Sequence, residues 1–185
     1  MACNLTIGRA EACKEAIGGL KAVYFINFQI VPSDVTFSND LITAVTNVDN
    51  LYKYELKSNE NVFDQEIVSS REAGTTFFRQ TLTIKLKKQD ATTHKEIKLL
   101  AYSRPHVLVE NNNGQFFLMG LYRGADLTAG SINNGGALSE FSGYSLTFTA
   151  EELLPSPFVM NGTDTFRVGQ ASTLPLSAAS TIVTS

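Results

Sequence analysis

The sequence predicts a mainly β protein, an antiparallel β-barrel or sandwich of about eight strands with one flanking α-helix and a long projecting hairpin. Residues alternate between apolar and polar over 78–86 and again over 144–149, which is the period of a half-buried strand. Short polar connections such as Asn113-Gly114 separate the apolar segments. Charged residues make up only 18% of the chain, which suits a β protein or one that hides surface in an assembly.

The apolar segments predict strands over residues 20–30, 41–48, 51–57, 62–72, 75–87, 107–110, 115–122, 126–132 and 144–149. Short extended pieces are expected at 158–159 and 166–168, and the stretch from residue 170, rich in Ser, Thr and Ala, is expected to be flexible. The first segment is almost continuously apolar, so we expect both of its faces to be buried. The second and third are expected to form a tight hairpin through Asp49-Asn50. The fourth and fifth meet at Ala73-Gly74, and arms of this length predict a projecting hairpin with a mobile tip.

One helix is predicted over residues 90–102. Asp90 can cap its start, Thr93–Glu96 matches a capping box, and Pro105 prevents its continuation. A weaker helical pattern within residues 1–19 closes at two glycines, and such a short helix would need to dock on its own core or on a neighbour.

Composition and motifs speak against several classes of function. The net charge of −3 argues against a protein that grips nucleic acid through its phosphates, and no apolar run approaches the roughly 20 residues of a spanning helix. His94 and His106 belong to no catalytic motif, and Cys3 and Cys13 lack the histidines of a zinc site. The stretch 133–137 lacks the lysine of a phosphate loop. We therefore expect no enzyme, metal or cofactor, and synthesis without a secretory signal, with reduced thiols.

Three motifs in the second half of the chain resemble one family. They are 114–120 (GQFFLMG), 124–130 (GADLTAG) and 143–152 (GYSLTFTAEE). They resemble the C-terminal half of bacteriophage major tail, or tail tube, proteins, in which a hairpin with aromatic residues leads through a Gly-rich loop to a final strand. The segment 18–25 (GGLKAVYF) resembles the first barrel strand of related virion proteins. The resemblance implies the tube-type barrel shared with the secreted tube of type VI systems.

This resemblance implies a virion structural protein, a subunit of a phage tail tube, whose stacked, hexameric rings conduct DNA into the host. Its partners would be further copies of itself, other virion tail proteins and double-stranded DNA in transient, non-specific passage, with no membrane. The protein would be assembled in the host cytoplasm and reside in the virion tail. The implied regions are an N-terminal assembly segment (1–19), a barrel domain (20–160) and a C-terminal extension (161–185). A tail completion, baseplate or hub ring protein, or a surface-binding β-sandwich module of a fibre, remain alternatives.

The resemblance also implies two kinds of site. The hairpin tip and the Gly-rich loop (130–143) are expected to contact neighbouring copies, through Ser69, Ser70, Arg71, Glu72, Ala73, Gly74, Asn133, Asn134, Gly135 and Gly136. Four threonines are expected to line the channel, namely Thr81, Thr83, Thr147 and Thr149. A lining along which DNA slides should not accumulate positive charge, yet Arg79, Lys85 and Lys87 share the face of the first two threonines. Either carboxylates such as Glu55 or Asp64 neutralise them, or that face points outward.

Overall fold

The computed structural model of the 185-residue chain describes residues 7–11, 13–160, 162–165 and 181–184. Within these residues the fold is mainly β, with two sheets and one α-helix, as predicted. The strands are β1 (Leu20–Ile26), β2 (Val35–Ser38), β3 (Leu41–Val45), β4 (Asn50–Glu55), β5 (Val62–Ser70), β6 (Thr75–Lys87), β7 (His106–Asn111), β8 (Phe116–Met119), β9 (Asp126–Asn133), β10 (Gly143–Glu152), β11 (Phe158–Val159) and β12 (Thr181–Val183). The helix, α1, spans Ala91–Tyr102, and two 3-10 turns span Pro32–Asp34 and Gly162–Thr165.

The strands form one sheet of eight and one of four. The larger sheet has the order β12-β4-β1-β7-β8-β11-β3-β2, and the smaller has the order β5-β6-β10-β9. Every pairing in the smaller sheet is antiparallel. No closed barrel is detected among the described residues, so the mainly β class is confirmed and the barrel or sandwich is not.

The core lies on both faces of β1, as its continuous apolar sequence predicts. On one face Phe25 packs between the two sheets against Phe148 of β10, with ring centroids 5.1 Å apart. On the other face Ile26 shares a buried cluster with Ile42 of β3. Three strands separate β1 from β3 in the larger sheet, so this shared cluster means that the sheet curls back onto itself.

The predicted hairpin through Asp49-Asn50 is wrong. β3 pairs with β2 and β11, whereas β4 pairs with β1 and β12. Val48 and Leu51, on either side of the connection, are fully buried in the core, which a surface turn would not allow. The true hairpin joins β2 to β3 at Asn39-Asp40, where both residues have positive φ, at 51° and 60°.

The predicted helix is confirmed, but its capping box is not. Asp90 caps α1 by accepting the Thr93 N–H at 2.8 Å, so the helix starts before the proposed box at Thr93–Glu96. The helix expected within residues 1–19 is also wrong for 7–11 and 13–19, which have no helical structure. Ile17 on its apolar stripe is 63% exposed, and a short helix with no buried face does not offset its nucleation cost.

The long hairpin of β5 and β6 is confirmed. The two strands pair from Val62 and Thr83 to Ser70 and Thr75, while β10 flanks β6 only as far as Phe78. The β6 residues 75–77 and their β5 partners therefore project beyond the sheet. The hairpin of β7 and β8, predicted from Asn113-Gly114, is also confirmed, and its three-residue loop has positive φ at Gly114 alone, at 73°.

Candidate assembly surfaces

The outer face of the smaller sheet brings the four predicted threonines together. The register places Thr83 opposite Thr147 and Thr81 opposite Thr149, and the hydroxyls of the first pair are 3.5 Å apart. Thr128 of β9 joins them, with its hydroxyl 3.0 Å from that of Thr149. The sequence did not predict Thr128, because a register shift between Thr147 and Phe148 places it there. We call these five residues the threonine face.

Two of the three basic side chains at the threonine face, Arg79 and Lys85, are paired with carboxylates, and the third, Lys87, is not, within the described residues. Arg79 lies 3.1 Å from both Glu66 on β5 and Glu151 on β10, and Lys85 lies 2.7 Å from Glu60. The strand register explains the first trio, since both glutamates stand directly opposite Arg79. Exposed pairs of this kind add less than about 1 kcal/mol to stability, so their main effect is to cancel local charge.

The neutralising partners predicted from sequence, Glu55 and Asp64, are wrong. Glu55 belongs to β4 in the other sheet and pairs with Lys53 at 3.2 Å and Lys57 at 3.8 Å. The hydrogen bond from Lys53, together with the charges of both lysines, lowers the pKa of the Glu55 carboxyl. Within the described residues Asp64 makes no ion pair, and neither does Lys87.

The hairpin tip is polar and exposed along its whole length, from Ser69 to Gly74. The Ser69 hydroxyl lies 2.9 Å from that of Thr76, and the Ser70 hydroxyl accepts the Ala73 N–H at 3.2 Å. These bonds shape the turn and leave its outer surface open to a partner.

The hairpin tip and the Gly-rich loop lie at opposite ends of the smaller sheet. At one end Gly143 pairs with both Lys87 and Asn133, where the loop begins. At the other end Glu152 pairs with Phe78, just below the projecting tip. We call these the loop end and the tip end. The sequence predicted the two segments separately but not their opposition, which depends on the pairing of β10 with β6.

The Gly-rich loop is held by side chains that the sequence did not single out. Gln89 donates from Nε2 to the Asn133 carbonyl at 2.8 Å and to Asn134 Oδ1 at 2.7 Å. The Glu140 carboxylate accepts the backbone N–H groups of Gly136 and Ala137, and these bonds lower its pKa. The only feature of the sequence that could have indicated these bonds is an acidic residue, Glu140, four residues after Gly136.

Leu138 lies in the turn that Glu140 closes, and its side chain is fully exposed. Its backbone N–H makes no hydrogen bond within the described part of the chain. An apolar side chain therefore lies in solvent at the loop end.

Both edges of the smaller sheet are open. Within the described residues β5 pairs only with β6, and β9 pairs only with β10. Each edge strand carries an exposed isoleucine, Ile67 at 67% and Ile132 at 50%. Long edges with exposed apolar residues are templates for pairing with another chain.

A pocket of about 480 Å³ opens near the tip end, lined on its apolar side by Phe37, Phe117, Leu154 and Phe158. Glu152 lies in its wall and is 3% exposed. Because Glu152 continues the inward-facing alternation of β10, a buried acid at this position could have been predicted from the sequence.

Two acceptors in this pocket are buried without a partner. The Glu152 carboxylate accepts the N–H groups of Tyr122 and Arg123 at Oε1, at 2.9 and 2.8 Å. Its Oε2 atom and the Ser156 hydroxyl have no hydrogen-bond partner among the described residues. Buried polar atoms are normally paired, so these two indicate a site that is completed by something else.

The two histidines do not form a catalytic site. His106 is fully buried, where its Nδ1 lies 2.7 Å from the Gly120 carbonyl and its Nε2 accepts the Ile30 N–H at 3.3 Å. Burial lowers the pKa of the His106 imidazole. His94 is exposed on α1. In the described residues no three His, Cys, Asp or Glu side chains are placed to hold a metal ion.

Comparisons with known proteins give no relative. No family model, curated protein or solved structure matches this chain. Among the described residues, no helix has the length and apolar character needed to cross a membrane.

Proposed function

We propose that the protein is a virion structural protein, a subunit of a phage tail tube that forms closed, stacked rings, with six copies in each ring. One observation carries the proposal: within the described part of the chain the smaller sheet is open at both edges, and its two edge strands run in opposite directions. β5 of one copy can therefore pair antiparallel with β9 of the next while all copies point the same way. Such a contact between different surfaces closes into a ring.

The exposed isoleucines support this pairing. Ile67 stands opposite Phe78 and Ile132 opposite Tyr144, so both are directed to the inner face of the sheet. When β5 and β9 of neighbouring copies pair, this face continues from copy to copy and both side chains lose water contact. Burying an isoleucine contributes about 1.5–3 kcal/mol, and the edge hydrogen bonds add to it. The tube-type barrel would then be shared among the copies of a ring.

The threonine face supports a channel lining. Its hydroxyls are uncharged, and two basic groups beside it, Arg79 and Lys85, are paired with Glu60, Glu66 and Glu151, while Lys87 stands at the end of the face. A duplex binds where lysines and arginines release its counterions, so a lining with cancelled charge lets the duplex slide. This is a structural role without chemistry, and we propose no enzymatic activity.

Stacking of rings would use the two ends of the sheet. The hairpin tip and the Gly-rich loop are at opposite ends, so the tip end of one ring can meet the loop end of the next. A tail completion, baseplate or hub ring protein would share the ring contact but would stop at a single ring.

Negative-stain electron microscopy of the purified protein tests the proposal. We expect rings and stacked tubes for the wild type. Ile67→Lys places a charge in the ring contact, so the variant should remain monomeric with unchanged circular dichroism. Tyr102→Lys is the matched control, because Tyr102 is 85% exposed at the end of α1.

Single rings without tubes would favour the completion or hub protein. A wild-type protein that stays monomeric at high concentration, or an Ile67→Lys variant that still forms rings, would contradict the proposed ring contact.

A further inference from the structure

We infer that the pocket at Glu152 is the socket for Leu138 of a second copy, in the adjacent ring. This inference rests on the proposed function and identifies the contact by which one ring recognises the next. It requires that the socket and the inserted side chain lie at opposite ends of the molecule, that they match in shape and polarity, and that no copy can fill its own socket.

The positions meet the first requirement. The pocket adjoins Glu152, at the end of β10 next to the hairpin tip, and Leu138 precedes the start of β10 at Gly143. β10 has ten residues, so its two ends are about 30 Å apart. A shift of one copy along its own strands brings the loop end of that copy onto the tip end of the next. A copy cannot place its own Leu138 in its own pocket across this distance.

The chemistry meets the second requirement. The pocket is lined mainly by aromatic and aliphatic side chains, which suit a leucine, and its volume of about 480 Å³ also leaves room for the adjoining backbone. Glu152 Oε2 and the Ser156 hydroxyl are buried acceptors that lack donors. The Leu138 N–H is a donor that lacks an acceptor among the described residues. Insertion would give a buried acceptor of the socket a donor, in exchange for the water that the exposed Leu138 N–H contacts in a free copy.

The charges around the two surfaces are complementary. Asp40 and Glu152 line the pocket, and neither makes an ion pair within the described residues. On the loop side Lys88 donates its backbone N–H to Ser142 at the base of the Gly-rich loop, and Lys87 stands opposite Gly143. Both lysines are exposed and make no ion pair among the same residues. Lys87 and Lys88 at the base of the loop can thus approach the acids of the socket, whereas Glu140 beside Leu138 is held by the Gly136 and Ala137 N–H groups and Arg123 lies beside Glu152.

The loop is shaped for insertion before any partner arrives. The bonds from Glu140 to Gly136 and Ala137, and from Gln89 to Asn133 and Asn134, fix the turn that carries Leu138. A contact made by a pre-formed loop loses less conformational entropy on binding than one made by a disordered segment.

Two variants, each of which disrupts one of the two contacting surfaces, test the inference. Leu138→Asp removes the inserted side chain but keeps the socket, and Leu154→Asp places a charge in the socket but keeps the loop. Each should form single rings and fail to stack, with the concentration needed for stacking raised about tenfold to a hundredfold. When rings of the two variants are mixed in equal amounts, we expect particles of two rings and none with more. The loop of the Leu154→Asp ring can enter the socket of the Leu138→Asp ring, but the reverse contact is disrupted on both sides.

The controls are the neighbouring residues. Ser139→Asp adds the same charge to the loop, and Leu153→Asp adds it at a residue that is 66% exposed and outside the pocket lining. Both should stack like the wild type. Sedimentation velocity and electron microscopy measure the particles. Normal tubes from Leu138→Asp, or equal loss of stacking in Leu153→Asp and Leu154→Asp, would overturn the inference while leaving the ring proposal intact.

A cross-link decides the inference even if rings do not form. A photoreactive residue at position 138, in a mixture of isotopically light and heavy protein at high concentration, should cross-link to residues 152–158 of another chain. A cross-link confined to one chain, or to another segment, would contradict it.

Discussion

The side chain of Asn113 hydrogen-bonds to both sides of the Ile17 backbone. Its Oδ1 accepts the Ile17 N–H at 3.0 Å, and its Nδ2 donates to the Ile17 carbonyl at 2.8 Å. One amide thus replaces a neighbouring strand, because it offers the same donor and acceptor as a peptide unit. Asn112 adds a bond to the Gly18 carbonyl at 2.8 Å. The turn between β7 and β8 therefore fastens Ile17 and Gly18 just before β1 begins.

Asn113→Ala should release this segment without unfolding the domain. Both bonds are exposed, and their loss should cost about 1 kcal/mol of local stability. Trypsin should then cut after Arg9 and Lys14 about fivefold faster, because the open form is more populated. Limited proteolysis followed by mass spectrometry measures this rate. Asn59→Ala, at an exposed loop asparagine, is the control, and equal cleavage of the two variants would contradict the prediction.

The buried His106 should make stability depend on pH. Burial lowers its native pKa below the ordinary value of 6.5, so the unfolded chain binds the proton more readily. The contribution of the neutral His106 imidazole to the free energy of unfolding is complete above pH 6.5 and is lost as the pH falls toward the native pKa. We expect the free energy of unfolding, measured with urea, to fall between pH 7.5 and 5.5 by up to about 1.4 kcal/mol. His106→Gln should be less stable at pH 7.5 and show a flatter profile, while His94→Gln keeps the wild-type slope.

Two glycines of the Gly-rich loop should respond very differently to alanine. A Cβ at Gly143 would lie 2.0 Å from the Leu86 carbonyl oxygen, so the paired strands would have to separate. Gly136 has space, with its closest neighbour, a Glu140 oxygen, at 3.4 Å. Gly143→Ala should lose about 2–3 kcal/mol of unfolding free energy, and Gly136→Ala should stay within about 0.5 kcal/mol. Thermal and urea unfolding measure both, and a tolerated Gly143→Ala would show that the β6–β10 pairing differs from that described.

The threonine face should determine whether assembled tubes hold DNA. Thr147→Lys with Thr149→Lys adds two positive charges for every copy around the proposed channel, so linear duplex should be retained inside tubes at low salt and released at high salt. Wild-type tubes should retain none. Thr36→Lys, on β2 of the larger sheet, is the control. Fluorescent duplex cosedimented with tubes measures retention, and equal retention by the control would remove the lining role from the threonine face.

Sequence patterns within a single element predicted β6 and α1, because each pattern reflects contacts that repeat along that element or lie within one turn of it. The alternation of β6 placed Leu82 and Ile84 in the core, and it put Thr81 and Thr83 on the outer face. The cap at Asp90 predicted α1 for a similar reason, since the signal lies within one turn of the helix.

Pairings between distant segments could not be predicted in this way. β11 lies parallel to β3 through Phe158 and Leu41, and β12 lies parallel to β4 through Ile182 and Leu51. Two- and three-residue strands carry too few residues for a period, and the contacts that place them form only in the folded core. Parts of the chain predicted as an extended piece (166–168) and as a flexible tail (170–180 and 185) lie outside the described residues.

The arrangement of the candidate surfaces could be predicted where it follows strand alternation. The four threonines were found, whereas the partners of Arg79 were missed because they depend on register across three strands. Leu138 was missed because an apolar residue among glycines gives no periodic signal, and its exposure follows from the turn that Glu140 closes.

The two ends of the smaller sheet are chemically unlike. One carries Lys87, Lys88 and Leu138, and the other carries Asp40, Glu152 and an empty apolar pocket. Two copies that met loop end to loop end would bring like charges together and leave both leucines in water. Every subunit of the proposed filament would therefore face the same direction. A filament built as proposed would have polarity, with a ring of leucine-bearing loops at one end and a ring of sockets at the other. A capping protein could bind one terminus and ignore the other.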